Sequence, residues 1–237
     1  LANNLAARGF RVLVVDMDLN NMTSLFYIMG IPHIEDTVEK KNIMIALAQE
    51  KAEENIIKTR VANVDIIPSS LSLCKIRAID CKVLKKCISN LDYDYILIDT
   101  SPTYDNLVKS AINAADLIIT PVQLTEYCFN MARFLMNMIE EELPGQREKC
   151  AILYNSWHKN YKVNGKTLQA NCSQLFETQF NNIMDARIPA TSKLDEYTNC
   201  DKKLNINSKC KSAAALAREI NTIVRYITNE QYDVEEF

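Results

Sequence analysis

The sequence predicts an α/β fold, a mostly parallel β-sheet with helices on both faces. Two apolar runs, Arg11-Val12-Leu13-Val14-Val15-Asp16 and Tyr93-Asp94-Tyr95-Ile96-Leu97-Ile98-Asp99, each end in a carboxylate. A strand buried on both faces of a parallel sheet reads as such a continuous run. Further short apolar runs alternate with stretches of helical spacing to the end of the chain, the βα alternation that builds a parallel sheet. Ligands sit just beyond the carboxyl ends of such strands, so Asp16 and Asp99 are candidate site residues. The competing reading of each is an Asp that caps the next helix.

Taken in order, Leu1-Ala2-Asn3-Asn4-Leu5-Ala6-Ala7-Arg8-Gly9 reads as the end of a helix, with Gly9 suited to the left-handed position past it. A strand and a loop are therefore expected to precede Leu1. The strand ending at Asp16 follows, and Asp18 lies two residues on, on the same side if the extended geometry persists. Asn20, Asn21 and Thr23 form a polar loop, and residues 35–60 are charged and loosely helical. Val64-Asp65-Ile66-Ile67-Pro68 is a short strand, after which Ser69 and Ser70 can cap a helix from about Leu71 to Asn90. After Asp99, helical spacing at Leu107, Val108, Ala111, Ile112 and Ala115 precedes a strand from Leu117 to Val122 that ends at Gln123. A helix over Glu126–Glu142, a strand from Cys150 to Tyr154 ending at Asn155, and an amphipathic helix through Leu168, Cys172, Phe176 and Phe180 come next. A strand near Ile183–Ile188, Pro189, a polar loop to about Ser208 and a helix from Ser212 to Thr228 complete the pattern. No boundary signal divides residues 1–237, so one domain is expected, closed by an acidic tail over 229–237.

Composition narrows the function classes. The 237 residues are 48% hydrophobic and 24% charged, with only 4 Gly and 6 Pro, which leaves little room for linkers or repeats. A net charge of −3 gives no global attraction to nucleic acid, so any such contact needs a local basic patch. No apolar run approaches the ~18 residues of a membrane span. The eight cysteines lack a C-x-x-C pair and the two histidines lie far apart, so the cysteines read as reduced core thiols and a metal cage of Cys or His is disfavoured.

Several strings together resemble the ParA/Soj partition ATPases of the ParA–MinD group of deviant Walker A, P-loop NTPase-like proteins. They are Ala6 to Asp18, Ile66-Ile67-Pro68-Ser69-Ser70-Leu71-Ser72-Leu73, Tyr93 to Pro102, and Asn113-Ala114-Ala115-Asp116 with Pro121-Val122-Gln123 and Glu126-Tyr127. The resemblance runs from Leu1 to about Ala132. Leu19-Asn20 stands where the family usually has Pro-Gln, Ser101-Pro102 where it often has Pro-Pro, and the lysine-bearing phosphate loop is not in the sequence.

The resemblance implies ATP hydrolysis with Mg²⁺, coupled to an ATP-dependent homodimer. By family match Asp18 orients the attacking water, Asp99 holds the Mg²⁺ shell, and Asp16 supports the metal or the loop. Thr100 and Pro102 form the loop that senses the γ-phosphate, Gln123 belongs to the same site, and Asn155, Ile188 and Pro189 contact the adenine. Arg187, Lys193, Lys202, Lys203, Lys209, Lys211 and Arg218, set against Asp195, Glu196 and Asp201, form the basic stretch in which family members bind nonspecific DNA. A charge run of this kind is otherwise a solvated helix face. A ParB-like partner and a cytoplasmic, nucleoid-associated location follow from the same resemblance. Two alternatives stay open: a MinD-like membrane-surface ATPase, against which the acidic tail argues because that class ends in a basic amphipathic helix, and a non-catalytic interaction module of the same fold. An iron–sulfur reductase is disfavoured, since Cys128 is the only cysteine near an Asp-bearing strand.

Overall fold

The computed structural model describes residues 1–76, 79–158, 162–163, 166–193 and 208–230. It divides into two compact units, Leu1–Asp116 and Leu117–Phe237.

In the first unit, helix α1 (Ala2–Ala7) ends as expected, Gly9 taking a positive φ of 94°. Strand β1 (Val12–Met17) is buried along its whole length, which is what its unbroken apolar run requires. Helices α2 (Met22–Ile28), α3 (Ile34–Lys40) and α4 (Ile43–Gln49) follow. Asn42 caps α4 by accepting from the Ile45 N–H, and Ile43, Ala46 and Leu47 then enter the core beneath the sheet. Strands β2 (Ile57–Lys58), β3 (Val64–Ile67) and β4 (Tyr95–Thr100) complete a sheet of order β2-β3-β1-β4. β3 and β4 run parallel to β1, whereas β2 is antiparallel to β3.

Two expectations need correcting here. β4 is only half buried rather than buried on both faces, because it is the edge strand of this sheet. The single helix expected from Leu71 to Asn90 is a 3₁₀ segment (Leu71–Ile76) and a separate α5 (Val83–Ile88). Asp80 accounts for the restart: its carboxylate accepts the Lys82 N–H and its carbonyl the Val83 N–H, a local side-chain turn that competes with a continuous helix. Helix α6 (Asn106–Ala114) is capped by Asp105, which accepts from Leu107 and Val108.

The second unit has a parallel sheet of order β5-β6-β9, from β5 (Ile118–Val122), β6 (Cys150–Trp157) and β9 (Ile183–Pro189). Strands β7 (Lys162–Val163) and β8 (Lys166–Thr167), each two residues long, pair antiparallel and lie between β6 and β9 in the chain. Helix α7 (Glu126–Glu142) has the bounds that the periodicity predicts and is capped by Thr125. Phe129 of α7 meets Phe176 of α8 (Leu168–Gln179) edge-on. Helix α9 (Lys211–Thr228) packs Leu216 and Ile223 on Met184, Ala186 and Ile188 of β9. Sequence pattern and structure thus agree on an α/β fold with mainly parallel sheets. Among the described residues no helix is long and apolar enough to cross a membrane.

Candidate functional site

Parallel pairing of β1 with β4 sets Asp16 directly beside Asp99, and residues paired in this way project from the same face of the sheet. Asp16 is fully buried. One of its oxygens, Oδ2, accepts the Ser24 N–H at 2.8 Å and the Ser24 hydroxyl at 2.6 Å, and the other accepts the Asp18 N–H at 3.0 Å. Burial pushes its pKa up; the hydrogen bonds from Ser24 and Asp18 pull it back, and the charge of Asp99 adds a smaller upward push. Asp99 is exposed and accepts the Thr23 hydroxyl at 2.7 Å. The two carboxylates therefore bracket the start of α2, one holding Ser24 and the other Thr23.

Asp18 lies just past the end of β1. Among the described residues its carboxylate meets only its neighbour Asn20, the backbone N–H at 3.2 Å and the side-chain amide at 3.4 Å. Its backbone is held far more firmly. The N–H donates to Asp16, and the carbonyl accepts the Asn21 N–H at 3.0 Å and the Ser69 hydroxyl at 2.6 Å. Thr100 ends β4, half buried, and Pro102 is exposed two residues beyond it.

Sequence reasoning leaves Ser24 without a role, gives Thr23 only to a loop, and reads Ser69 as a helix cap. Only Ser70 behaves like a cap, accepting the Ser72 N–H. The signal for Thr23 is its place in the polar loop after Asp18, which Ser24 directly follows; Ser69 is marked only by its place in the Ile66-to-Leu73 string.

In the second unit, Gln123 is exposed just past β5. The Asn155 side chain is turned back onto the Ser156 N–H at 2.8 Å. Ile188 is buried against the α9 core, so its side chain is committed to packing, and Pro189 is half buried at the end of β9. The described basic residues lie on different elements. Arg187 alternates with Ala186 and Ile188 and so leaves the opposite face of the sheet from α9, where its guanidinium lies over the Trp157 ring at 4.6 Å. Lys193 is half buried, Lys209 is exposed, and Lys202 and Lys203 lie outside the described residues. Lys211 and Arg218 are exposed on α9, seven residues apart, and Arg225, beyond the basic stretch that the sequence singles out, continues that spacing.

The first unit's donors suit a hydrated Mg²⁺. Asp16 and Asp99 supply two neighbouring carboxylates, all oxygen, and at the start of α2, just after Asp18 in the chain, the buried side-chain oxygen of Asn21 has no hydrogen-bond partner among the described residues. Mg²⁺ keeps several waters and takes one or two carboxylates, so it does not need the larger acidic or His/Cys cluster that is missing among the described residues.

A family model described as an AAA domain matches residues 1–149. The chain is 32% identical over 145 residues to the sporulation initiation inhibitor protein Soj of Bacillus subtilis, covering 57% of this chain and 55% of Soj. It is 24% identical over 240 residues to the chromosome partitioning protein ParA of Caulobacter vibrioides, covering 93% and 86%. The chain belongs to the ParA-type branch of the AAA-domain family. The fold agrees: a putative plasmid partition protein of Borrelia burgdorferi B31, solved bound to AMPPNP, superposes with a TM-score of 0.74 at 20% identity, covering 96% of this chain and 90% of that one. In this branch of the family the chain spans only about half of the length of Soj.

Proposed function

We propose that this ParA-type chain binds and hydrolyses ATP with Mg²⁺, and that it acts in plasmid or chromosome partition as an ATP-dependent dimer on nonspecific DNA with a ParB-like partner. The observation that carries the reading is the side-by-side pair Asp16 and Asp99, with Asp18 fixed by its backbone just past the end of β1. Mg²⁺, when bound, neutralises phosphate charge as it builds up during phosphoryl transfer. Asp99 and Asp16 would hold its hydration shell, and Asn21 offers a further acceptor to a bound water. Asp18, its carboxylate restrained only by Asn20, is the group able to orient an attacking water. Thr100 and Pro102 extend the phosphate end of the site. Gln123 for the phosphates, and Asn155 and Pro189 for the base, follow from the family resemblance alone; Ile188 can contribute only through its backbone. A cytoplasmic, nucleoid-associated location accompanies this reading.

The test is ATP turnover by the full-length protein. Chelating Mg²⁺ with EDTA is expected to lower turnover roughly 100-fold or more, because a bound metal supplies several kcal/mol of charge stabilisation. Turnover that EDTA leaves unchanged, or no turnover with Mg²⁺ present, would sink the proposal.

For DNA the supporting feature is α9. Lys211, Arg218 and Arg225 recur every seven residues on its exposed side, which spaces them roughly 10 Å apart along the axis with a drift of about 20° per step. Such a row can follow a phosphate backbone without reading bases. The double variant Lys211→Glu, Arg218→Glu is expected to weaken binding to unrelated duplexes alike. It should also flatten the slope of log affinity on log salt by roughly 0.9 for each phosphate that is no longer neutralised. An unchanged salt slope would remove α9 from the interface.

A further inference from the structure

The Ile66-to-Leu73 string of the sequence has no part in the chemistry assigned so far, yet its Ser69 sits at the centre of the site. Ser69 is 1% exposed and Ser24 2%. The Ser69 hydroxyl donates to the Asp18 carbonyl at 2.6 Å, and the Ser69 N–H donates to Ser24 Oγ at 2.8 Å. Ser24 Oγ donates in turn to Asp16 Oδ2 at 2.6 Å, and Asp16 Oδ1 accepts the Asp18 N–H at 3.0 Å. These four bonds close a ring: Asp16 carboxylate, Asp18 peptide, Ser69, Ser24, and back to the carboxylate. Its members come from β1, α2 and the segment after β3. The Pro68 carbonyl also accepts the Ile43 N–H at the start of α4, which anchors that segment to the core.

We propose that Ser69 is the positioning residue of this site: its hydroxyl and its N–H together fix the Asp18 backbone and, through Ser24, the Asp16 carboxylate. The inference rests on the ATPase reading above. Among the described residues the Asp18 carboxylate has no long-range partner, so its aim is inherited from its backbone. Water exclusion strengthens each bond of the ring, and a catalytic group displaced by about 1 Å can lose 100-fold in rate. Ser70, next along the chain, accepts the Ser72 N–H at 3.2 Å through its hydroxyl and the Leu73 N–H through its carbonyl, and lies outside the ring.

Ser69→Ala removes the bond to the Asp18 carbonyl and keeps the N–H that holds Ser24. In the full-length protein it is expected to lower kcat by about 10- to 100-fold and to leave KM for ATP within about threefold. Ser69→Thr, which retains the hydroxyl, should recover most of that turnover, and Ser70→Ala should match the wild type. Ser69→Gly is a second hydroxyl-free variant should the alanine protein fail to fold. A folded Ser69→Ala or Ser69→Gly protein with wild-type kcat overturns the assignment. So does a change confined to KM, an equal loss in Ser70→Ala, or a folded Ser69→Thr protein as inactive as Ser69→Ala. The wild type measured alongside separates the two levels: if it fails to hydrolyse ATP the ATPase reading itself falls, whereas an active wild type with an unaffected Ser69→Ala removes the Ser69 role alone.

Discussion

Asp18→Ala in the full-length protein is expected to lower ATP turnover by at least about 100-fold, the scale that a positioned carboxylate contributes to orienting or deprotonating a nucleophile. The fold should survive the change. Asp18 is partly exposed, its carboxylate contacts only Asn20 among the described residues, and the bonds that hold the loop run through its N–H and carbonyl, which alanine keeps. Activity and stability should therefore separate: a melting temperature near that of the wild type with turnover close to background. Affinity for ATP should hold as well, because binding draws on other groups. Steady-state turnover and a thermal melt on the same preparation make the test, and wild-type turnover in the variant would mean that the water is oriented by a different residue.

Much of the fold is legible because the burial of these strands is simple. The runs of β1 and β3 are apolar at nearly every position and both strands are buried throughout. The interval of α7 is bounded by Thr125, a capping residue whose side chain bonds the Cys128 N–H. The two-residue β2 has no room for a pattern, so its antiparallel pairing with β3 leaves no trace in the sequence. The division of the strands between two sheets is likewise a matter of long-range pairing, to which apolar runs are blind. In the site, the paired carboxylates can be read from two strands ending in Asp, but the hydroxyls that hold them cannot. Ser69 reaches Ser24 across 45 residues and Asp18 across 51, so its local context, two serines before an apolar stretch, suggests only a cap. Arg187 is the opposite case. Its place between Ala186 and Ile188 in a strand already puts it on the face away from their core partner, and a period-two reading separates it from α9.

The buried carboxylate of Asp16 should leave a signature in the pH dependence of stability. Its pKa in the folded protein is raised above the ordinary 3.8, first by burial, with Asp99 adding to it. Between 3.8 and that raised value the folded chain binds more protons at this position than the unfolded chain does. Stability then falls as pH rises through the interval: the contribution is complete below the unfolded pKa and gone above the folded one. Asp16→Asn carries no titrating proton and cannot show this loss. Its amide cannot accept both the Asp18 N–H and the two Ser24 donors as the carboxylate does, a loss against the ionised wild type that sets an offset and not the direction of the pH trend. The melting temperature of Asp16→Asn minus that of the wild type should climb as the pH rises from 3.8 through the raised folded pKa and level off above it. Melts are to be run in EDTA, because an ion at Asp16 and Asp99 would stabilise the charged form and hide the trend. A difference that stays flat across that range would show that Asp16 titrates like an exposed carboxylate, with the three hydrogen bonds fully offsetting its burial. Adding Mg²⁺ and ATP should then raise the wild-type melting temperature and leave that of Asp16→Asn nearly unmoved, tying the buried carboxylate to the ligand it is placed to hold.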